Sequence, residues 1–181
     1  MIQTGEPLLA NTAKKKSFSP FRVRAVAVAV LPFFSVLYQT YVPQFLTELG
    51  YLELPLLVVL YFSLIWRSQI RSLFYGSVVG LLQDLLAVAT QPVGLYGIVK
   101  TLVGYFAASV SQRFDVDNSA IRFILAFFFY VFHRMFYWMM ARALLGIAEP
   151  LEPAQIFILA GLNAAVAVPL FLVFDKMKER V

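Results

Sequence analysis

The sequence predicts an all-α membrane protein, a bundle of six transmembrane helices, and three observations carry that prediction. Hydrophobic residues make up 61% of the chain and charged residues only 14%, with a mean hydropathy of +0.78, well above that of a soluble domain of this length. Six apolar stretches each come close to the roughly 20 residues a helix needs to cross a hydrocarbon core about 30 Å thick. The basic residues gather in alternate connections, as short loops on one side of a membrane require.

Taken in chain order, residues 1–22 read as a flexible basic arm carrying Lys14, Lys15, Lys16 and Arg22. The spans are expected at 23–41, 46–66, 73–89, 94–111, 121–145 and 154–174, within one domain of residues 23–175, followed by a tail at 176–181. Pro43 and Gly50 mark the first joint, Pro92 and Gly94 the third, and Pro150 and Pro153 the fifth. Pro32, Pro55 and Pro169 fall inside spans, where neighbouring helices can satisfy the carbonyls they leave free. The first apolar segment follows a polar arm, is longer than a signal core and lacks a small-x-small cleavage site, so it is expected to stay in the mature chain.

The net charge of +5 and pI near 9.6 would suit a nucleic-acid partner if the charges formed a patch. They do not. Twelve of the fifteen basic residues fall in the arm with Arg24 at its membrane edge, the second-to-third connection (Arg67, Arg71), the fourth-to-fifth (Arg113, Arg122) and the tail (Lys176, Lys178, Arg180). The other three connections carry Glu48, Glu149 and Glu152 instead. This pattern puts both termini in the cytoplasm, makes the bilayer the first partner and removes nucleic acid as one. With no cysteine and a single histidine, the chain offers no disulfide, thiolate or multi-histidine metal chemistry. The pair Asp115 and Asp117 reads as a solvated loop. No nucleophile–base pair or phosphate loop is visible, so no catalytic, cofactor or metal site is expected.

Ionisable groups inside hydrocarbon cost at least about 2.5–3.5 kcal/mol each on insertion scales, so each needs a partner or a purpose. Those in the spans are Asp84, Lys100, His133 and Arg134, with Asn163 as a neutral companion and Glu53 nearer a helix end. At 1.5 Å per residue, Asp84 and Lys100 lie about 8–9 Å below the same ends of consecutive helices. Gly76, Gly80 and Asp84 share one face of the third helix, and Gly97, Lys100, Thr101, Gly104 and Ala108 one face of the fourth. Small faces permit close approach. A tight helix pair in which Asp84 meets Lys100 is therefore expected. It would serve to fix helix register, to line a pocket for a partner or ligand, or to relay ions. Arg134 should turn inward, toward Asp84 or Glu53 or into a polar pocket, while His133 reads as a hydrogen-bonded packing residue. Gly161 with Ala165, and Ala160 with Ala164, suggest close packing of the sixth span.

The run Tyr51-Leu-Glu-Leu-Pro-Leu-Leu-Val-Val-Leu-Tyr61, then Gly80-Leu-Leu-Gln-Asp84, Gly94-Leu-Tyr-Gly97 and Lys100-Thr-Leu-Val-Gly-Tyr105, resembles the MreD family of rod shape-determining proteins, best over residues 50–118. The resemblance implies a non-enzymatic subunit of the bacterial elongation machinery in the inner membrane. Its implied partners are an MreC-like bitopic protein and, beyond it, RodA with a class B penicillin-binding protein, and MreB indirectly. It also implies a fold similar to the six-helix substrate-binding subunits of energy-coupling-factor transporters, which keeps a vitamin-type transport role as the alternative. Gly80, Asp84 and Gly94 are the positions that match the family's pattern; Lys100 is not part of it.

Overall fold

The computed structural model describes residues 21–23, 25–86, 94–147, 150–176 and 178–180. Among these are six α-helices: α1 (Ala25–Phe45), α2 (Leu54–Trp66), α3 (Gln69–Leu86), α4 (Leu95–Ser111), α5 (Ser119–Leu145) and α6 (Pro153–Asp175). A 3-10 helix at Thr47–Tyr51 lies between α1 and α2. Two short strands, β1 (Phe21–Val23) and β2 (Lys178–Arg180), pair antiparallel and bring the start of α1 and the end of α6 side by side. Nothing in the helical pattern indicates this pair. The expected end of the third span at 87–89, the Pro92 joint, Glu149 and most of the basic arm lie outside the described residues.

Prolines shape the first two helices differently from expectation. Pro43, expected at the joint after the first span, lies inside α1, which runs through it to Phe45. So near the helix end, its missing N–H frees a single carbonyl. Pro32 frees the Val28 carbonyl, and the Tyr75 hydroxyl of α3 donates to it at 3.1 Å, the repair that a helix in lipid requires. Pro55 is expected inside a span starting at residue 46. It does fall inside the apolar segment Thr47–Trp66, but in the first turn of α2, which starts at Leu54, where an N–H would have no helical partner anyway. Tyr38 and Gln39 of α1 donate to the carbonyls of Leu49 and Gly50, tying the 3-10 segment down.

Short α2 is the hub. Every residue from Pro55 to Leu64 is buried, and the helix touches all five others. Around it, α3 and α4 form the most intimate pair. A Cβ built at Gly76 would land on the Lys100 carbonyl, one at Gly80 on the Tyr96 carbonyl and 2.6 Å from Gly97 Cα, and one at Gly104 on the Ser72 carbonyl. Backbone therefore meets backbone, as the two small-residue stripes suggested. Ala160, Ala164 and Ala167 of α6 are fully buried, but a Cβ at Gly161 would meet nothing within 4 Å. The expected close contact at Gly161 is absent because its face of α6 points away from the other helices.

Large apolar side chains cover the outside. On α3 they form a stripe, Ile70, Phe74, Val78, Leu81 and Leu85, opposite the glycine face. Among the described residues, four segments are long and apolar enough to cross a membrane: Val26–Phe45, Thr47–Trp66, Ser119–Leu145 and Pro153–Asp175. α4 is a shorter apolar helix, and α3, as far as it is described, is not among the four. The ends of α5 are well formed: the Asn118 side chain accepts from Ala120 N–H at 2.8 Å, and Gly146 closes the helix at φ 66°.

Gly80→Val and Gly104→Val should each destabilise the protein by about 3 kcal/mol or more, the upper end of overpacking, since backbone cannot yield as a side chain does. Gly161→Ala should stay within about 1 kcal/mol of the parent. Thermal unfolding of the purified protein in mild detergent measures both, and similar losses at Gly80 and Gly161 would contradict the packing described.

Candidate functional site

Glu53, Asp84, Lys100, His133 and Asn163 gather at the end of the bundle opposite the strand pair, contributed by α3 to α6 and the residue that precedes α2. All are buried, Lys100 and Asn163 completely. Asn163 of α6 fixes the base of the cluster. Its Oδ1 accepts from the Glu53 N–H at 2.9 Å, and its Nδ2 donates to the carbonyls of Tyr51 (2.9 Å) and Leu159 (3.0 Å). The cross-link expected of Asn163 is thus the joint between α6 and the start of α2. Glu53 precedes the first turn of α2, and its Oε2 stands 3.9 Å from Lys100 Nζ.

Asp84 and Lys100 do not pair as expected. Both Asp84 oxygens are taken by the start of α4: Oδ1 accepts from Tyr96 N–H at 3.2 Å and Oδ2 from Gly97 N–H at 2.9 Å. Gly94, the residue before α4, has φ 106° and no side chain to cap the helix. Asp84 supplies that cap from α3, placing a negative charge where the helix dipole and unpaired N–H groups favour it. Gly80 and Gly97 make the approach possible, since a Cβ at Gly97 would stand 2.9 Å from Leu81 Cδ2 and 3.5 Å from Asp84 Oδ2. Gly94 packs on nothing, since no atom lies within 4 Å of its Cβ position; its contribution is the left-handed turn that leads into α4.

Lys100 instead faces Glu53, with His133 Nε2 3.4 Å from its Nζ and the Tyr96 ring centroid 4.5 Å away. Tyr96 stacks on His133 (centroids 6.0 Å, planes 12° apart) and on Tyr137 (4.8 Å, 26°). His133 is therefore part of the cluster rather than a packing residue alone, and its Nδ1, like Glu53 Oε2, is buried without a hydrogen-bond partner. Thr101 lies outside the cluster: its Oγ1 donates to the Gly97 carbonyl at 2.6 Å, and its backbone packs on Gly76. Among the described residues Arg134 makes no ion pair with Asp84 or Glu53. It enters a pocket of about 250 Å³ with Tyr137, Trp138, Glu152 and Gln155, the second of its expected destinations.

A second polar knot, at the end near the strand pair, escapes the sequence reading. Arg122 donates from Nε to the Val116 carbonyl (2.6 Å) and from Nη1 to Asp175 Oδ2 (2.6 Å), with Asp117 Oδ1 3.6 Å from Nη2, while the Tyr61 hydroxyl donates to Asp175 Oδ1 at 3.2 Å. In the sequence Arg122 reads only as a charge that sets topology. The signal that could have marked it is its place inside α5, level with Asp175 at the facing end of α6.

Together these groups tie helices to one another. A lysine, a carboxylate and an imidazole meet, and the geometry offers them as a register lock and a buried polar centre. Lys100→Met should cost about 3–5 kcal/mol, the penalty for leaving Glu53 unpaired in the interior. Double-mutant cycles measured by unfolding in detergent should show stronger coupling of Lys100→Met with Glu53→Gln than with Asp84→Asn; the reverse order would restore the pairing first expected.

A family model described as rod shape-determining protein MreD matches residues 19–181. No curated protein and no solved structure matches the chain. With nearly its whole length matched, and the Gly80, Asp84 and Gly94 pattern accounted for by the α3–α4 contact and its cap, the chain belongs to the MreD family of rod shape-determining membrane proteins.

Proposed function

We propose that the chain is a non-catalytic scaffold subunit of the bacterial cell-elongation machinery, binding an MreC-like bitopic protein in the inner membrane. Through it, the subunit meets the peptidoglycan synthase formed by RodA and a class B penicillin-binding protein, and MreB indirectly. Family membership over residues 19–181 is the observation that carries this reading. A lateral apolar groove of about 540 Å³ supports it, lined by α1 (Leu31, Phe34, Tyr38), α2 (Leu54, Val58) and α6 (Leu170, Phe174) and suited to a hydrophobic partner segment. A transport role would favour one cavity shared by Glu53, Asp84, Lys100 and Arg134; Arg134 lines a pocket to which the other three do not contribute.

We further propose that all six helices span the bilayer, with the arrangement of the energy-coupling-factor substrate-binding subunits and with both termini in the cytoplasm. The pairing of β1 with β2 supports an even number of crossings, and so does the placement of Arg67, Arg71, Arg113 and Lys176 at the end of the bundle opposite Glu48 and Glu152.

Mild-detergent purification of the tagged protein from its native membrane, followed by mass spectrometry, should recover an MreC-like protein or a wall synthase. Recovery of ATPase subunits with a coupling protein would replace the scaffold reading with transport. The cysteine-free chain also gives a clean background for labelling. With an impermeant maleimide on intact cells, Leu46→Cys should react from outside and Phe114→Cys only after permeabilisation, both sites being exposed.

A further inference from the structure

The pocket that holds Arg134 carries chemistry the scaffold role does not use. It lies between the last turns of α5 and the first turn of α6, at the end of the bundle away from the strand pair. Arg134 is half-buried, while Glu152 and Gln155 are exposed. The space therefore runs from an acidic, hydrogen-bonding rim to a cation held deeper. Tyr137 and Trp138 form an aromatic wall, and Ala141, Ile147, Leu151 and Ile156 an apolar one.

These groups select by sign and by shape. A purely anionic group that reaches Arg134 must pass Glu152, and a purely cationic one is repelled at the floor. A ligand with an anion at one end and a hydrogen-bonding cation at the other satisfies both. A planar guanidinium favours phosphate or carboxylate oxygens, which it can grip with two N–H groups. Trp138 already has the Arg142 guanidinium 5.5 Å from its ring, so an added quaternary amine would compete there with a fixed cation. A primary ammonium that donates to Glu152 meets no such competition. The mixed apolar and aromatic lining opens at the ends of two membrane-suited helices, and the Arg134 backbone lies about 16 Å further in at 1.5 Å per residue, so the pocket fits an amphiphile whose headgroup is drawn inward toward that guanidinium.

We propose that this pocket binds a phosphoethanolamine group, its phosphate on Arg134 and its ammonium on Glu152, as the headgroup of a membrane phospholipid. With the topology proposed above, the pocket opens toward the outer leaflet; the binding itself does not rest on that topology, and a detergent assay tests binding alone.

The full chain, delipidated in mild detergent, is titrated with phosphatidylethanolamine, phosphatidylcholine and phosphatidylglycerol of identical acyl chains, and binding is read by native mass spectrometry and by thermal shift. Phosphatidylethanolamine should bind about tenfold more tightly than either other lipid, as one charge-assisted hydrogen bond provides. Arg134→Gln should weaken the binding of all three lipids about tenfold or more, because each carries the phosphate that Arg134 holds. Should that variant fold poorly, Glu152→Gln, an exposed change, keeps the test decisive: it should shift the preference toward phosphatidylglycerol. Glycerophosphoethanolamine, which lacks acyl chains, separates the sources. Failure to compete assigns the site to the lipid, and competition at similar concentration assigns the same headgroup chemistry to a soluble ligand. Equal binding of all three lipids, or a preference untouched by Glu152→Gln, overturns the proposal and leaves the pocket to a protein partner or to none.

Discussion

Much of this structure depends on one contact, the meeting of two backbones where α3 crosses α4. Gly76, Gly80 and Gly104 let the helices approach until carbonyl groups occupy the space that side chains would take. Lipid offers no hydrophobic drive between helices, so association has to come from such close van der Waals surfaces and from polar bonds. The approach also brings Asp84 onto the first turn of α4, where its two oxygens accept from Tyr96 and Gly97. That cap orients the start of α4, and with it Tyr96 and Lys100, which build the polar centre. A stripe with no side chains thus sets the position of the most polar ones.

Two polar layers follow along the bundle, with α2 between them. At one end Glu53, Lys100 and His133 meet above the Asn163 joint; at the other Arg122, Asp175 and Tyr61 lock α5, α6 and α2 together. The core between them is apolar, with Leu56, Leu57, Leu60 and Phe62 almost wholly buried. Apolar packing alone leaves helices free to slide in a medium as apolar as themselves. Hydrogen-bonded groups at fixed depths remove that freedom, and both layers do so with partners drawn from different helices.

The helices, their order and the small-residue faces were legible in the sequence because hydropathy and spacing report directly on which residues share a face. The ionic partners were less so. Equal depth on neighbouring helices gave Asp84 and Lys100 the same height, but not the same rotation about the bundle. It also overlooked the backbone N–H groups of a helix start as competitors for a carboxylate. Glu53 was named as a candidate but not matched to Lys100, because a helix continuous from residue 46 was assumed, whereas the chain enters α2 only at Leu54. Gly161 looked like Gly80 in one dimension, yet one faces open space and the other a backbone. The Arg122–Asp175 bond joins residues 53 apart in the chain, and nothing local announces it.

The cap on α4 has a consequence for how the chain enters the membrane. α3, as far as it is described, is not apolar enough to count among the segments that could cross a membrane unaided, and α4 is short. Alone, α3 would carry a naked carboxylate into hydrocarbon, and α4 a lysine with unpaired N–H groups at its start. Folded against each other they present Asp84 already engaged and the apolar stripe from Ile70 to Leu85 turned outward. If all six helices span the bilayer, as proposed above, these two segments would partition into lipid as a preassembled hairpin, so that insertion is a property of the pair and not of either helix.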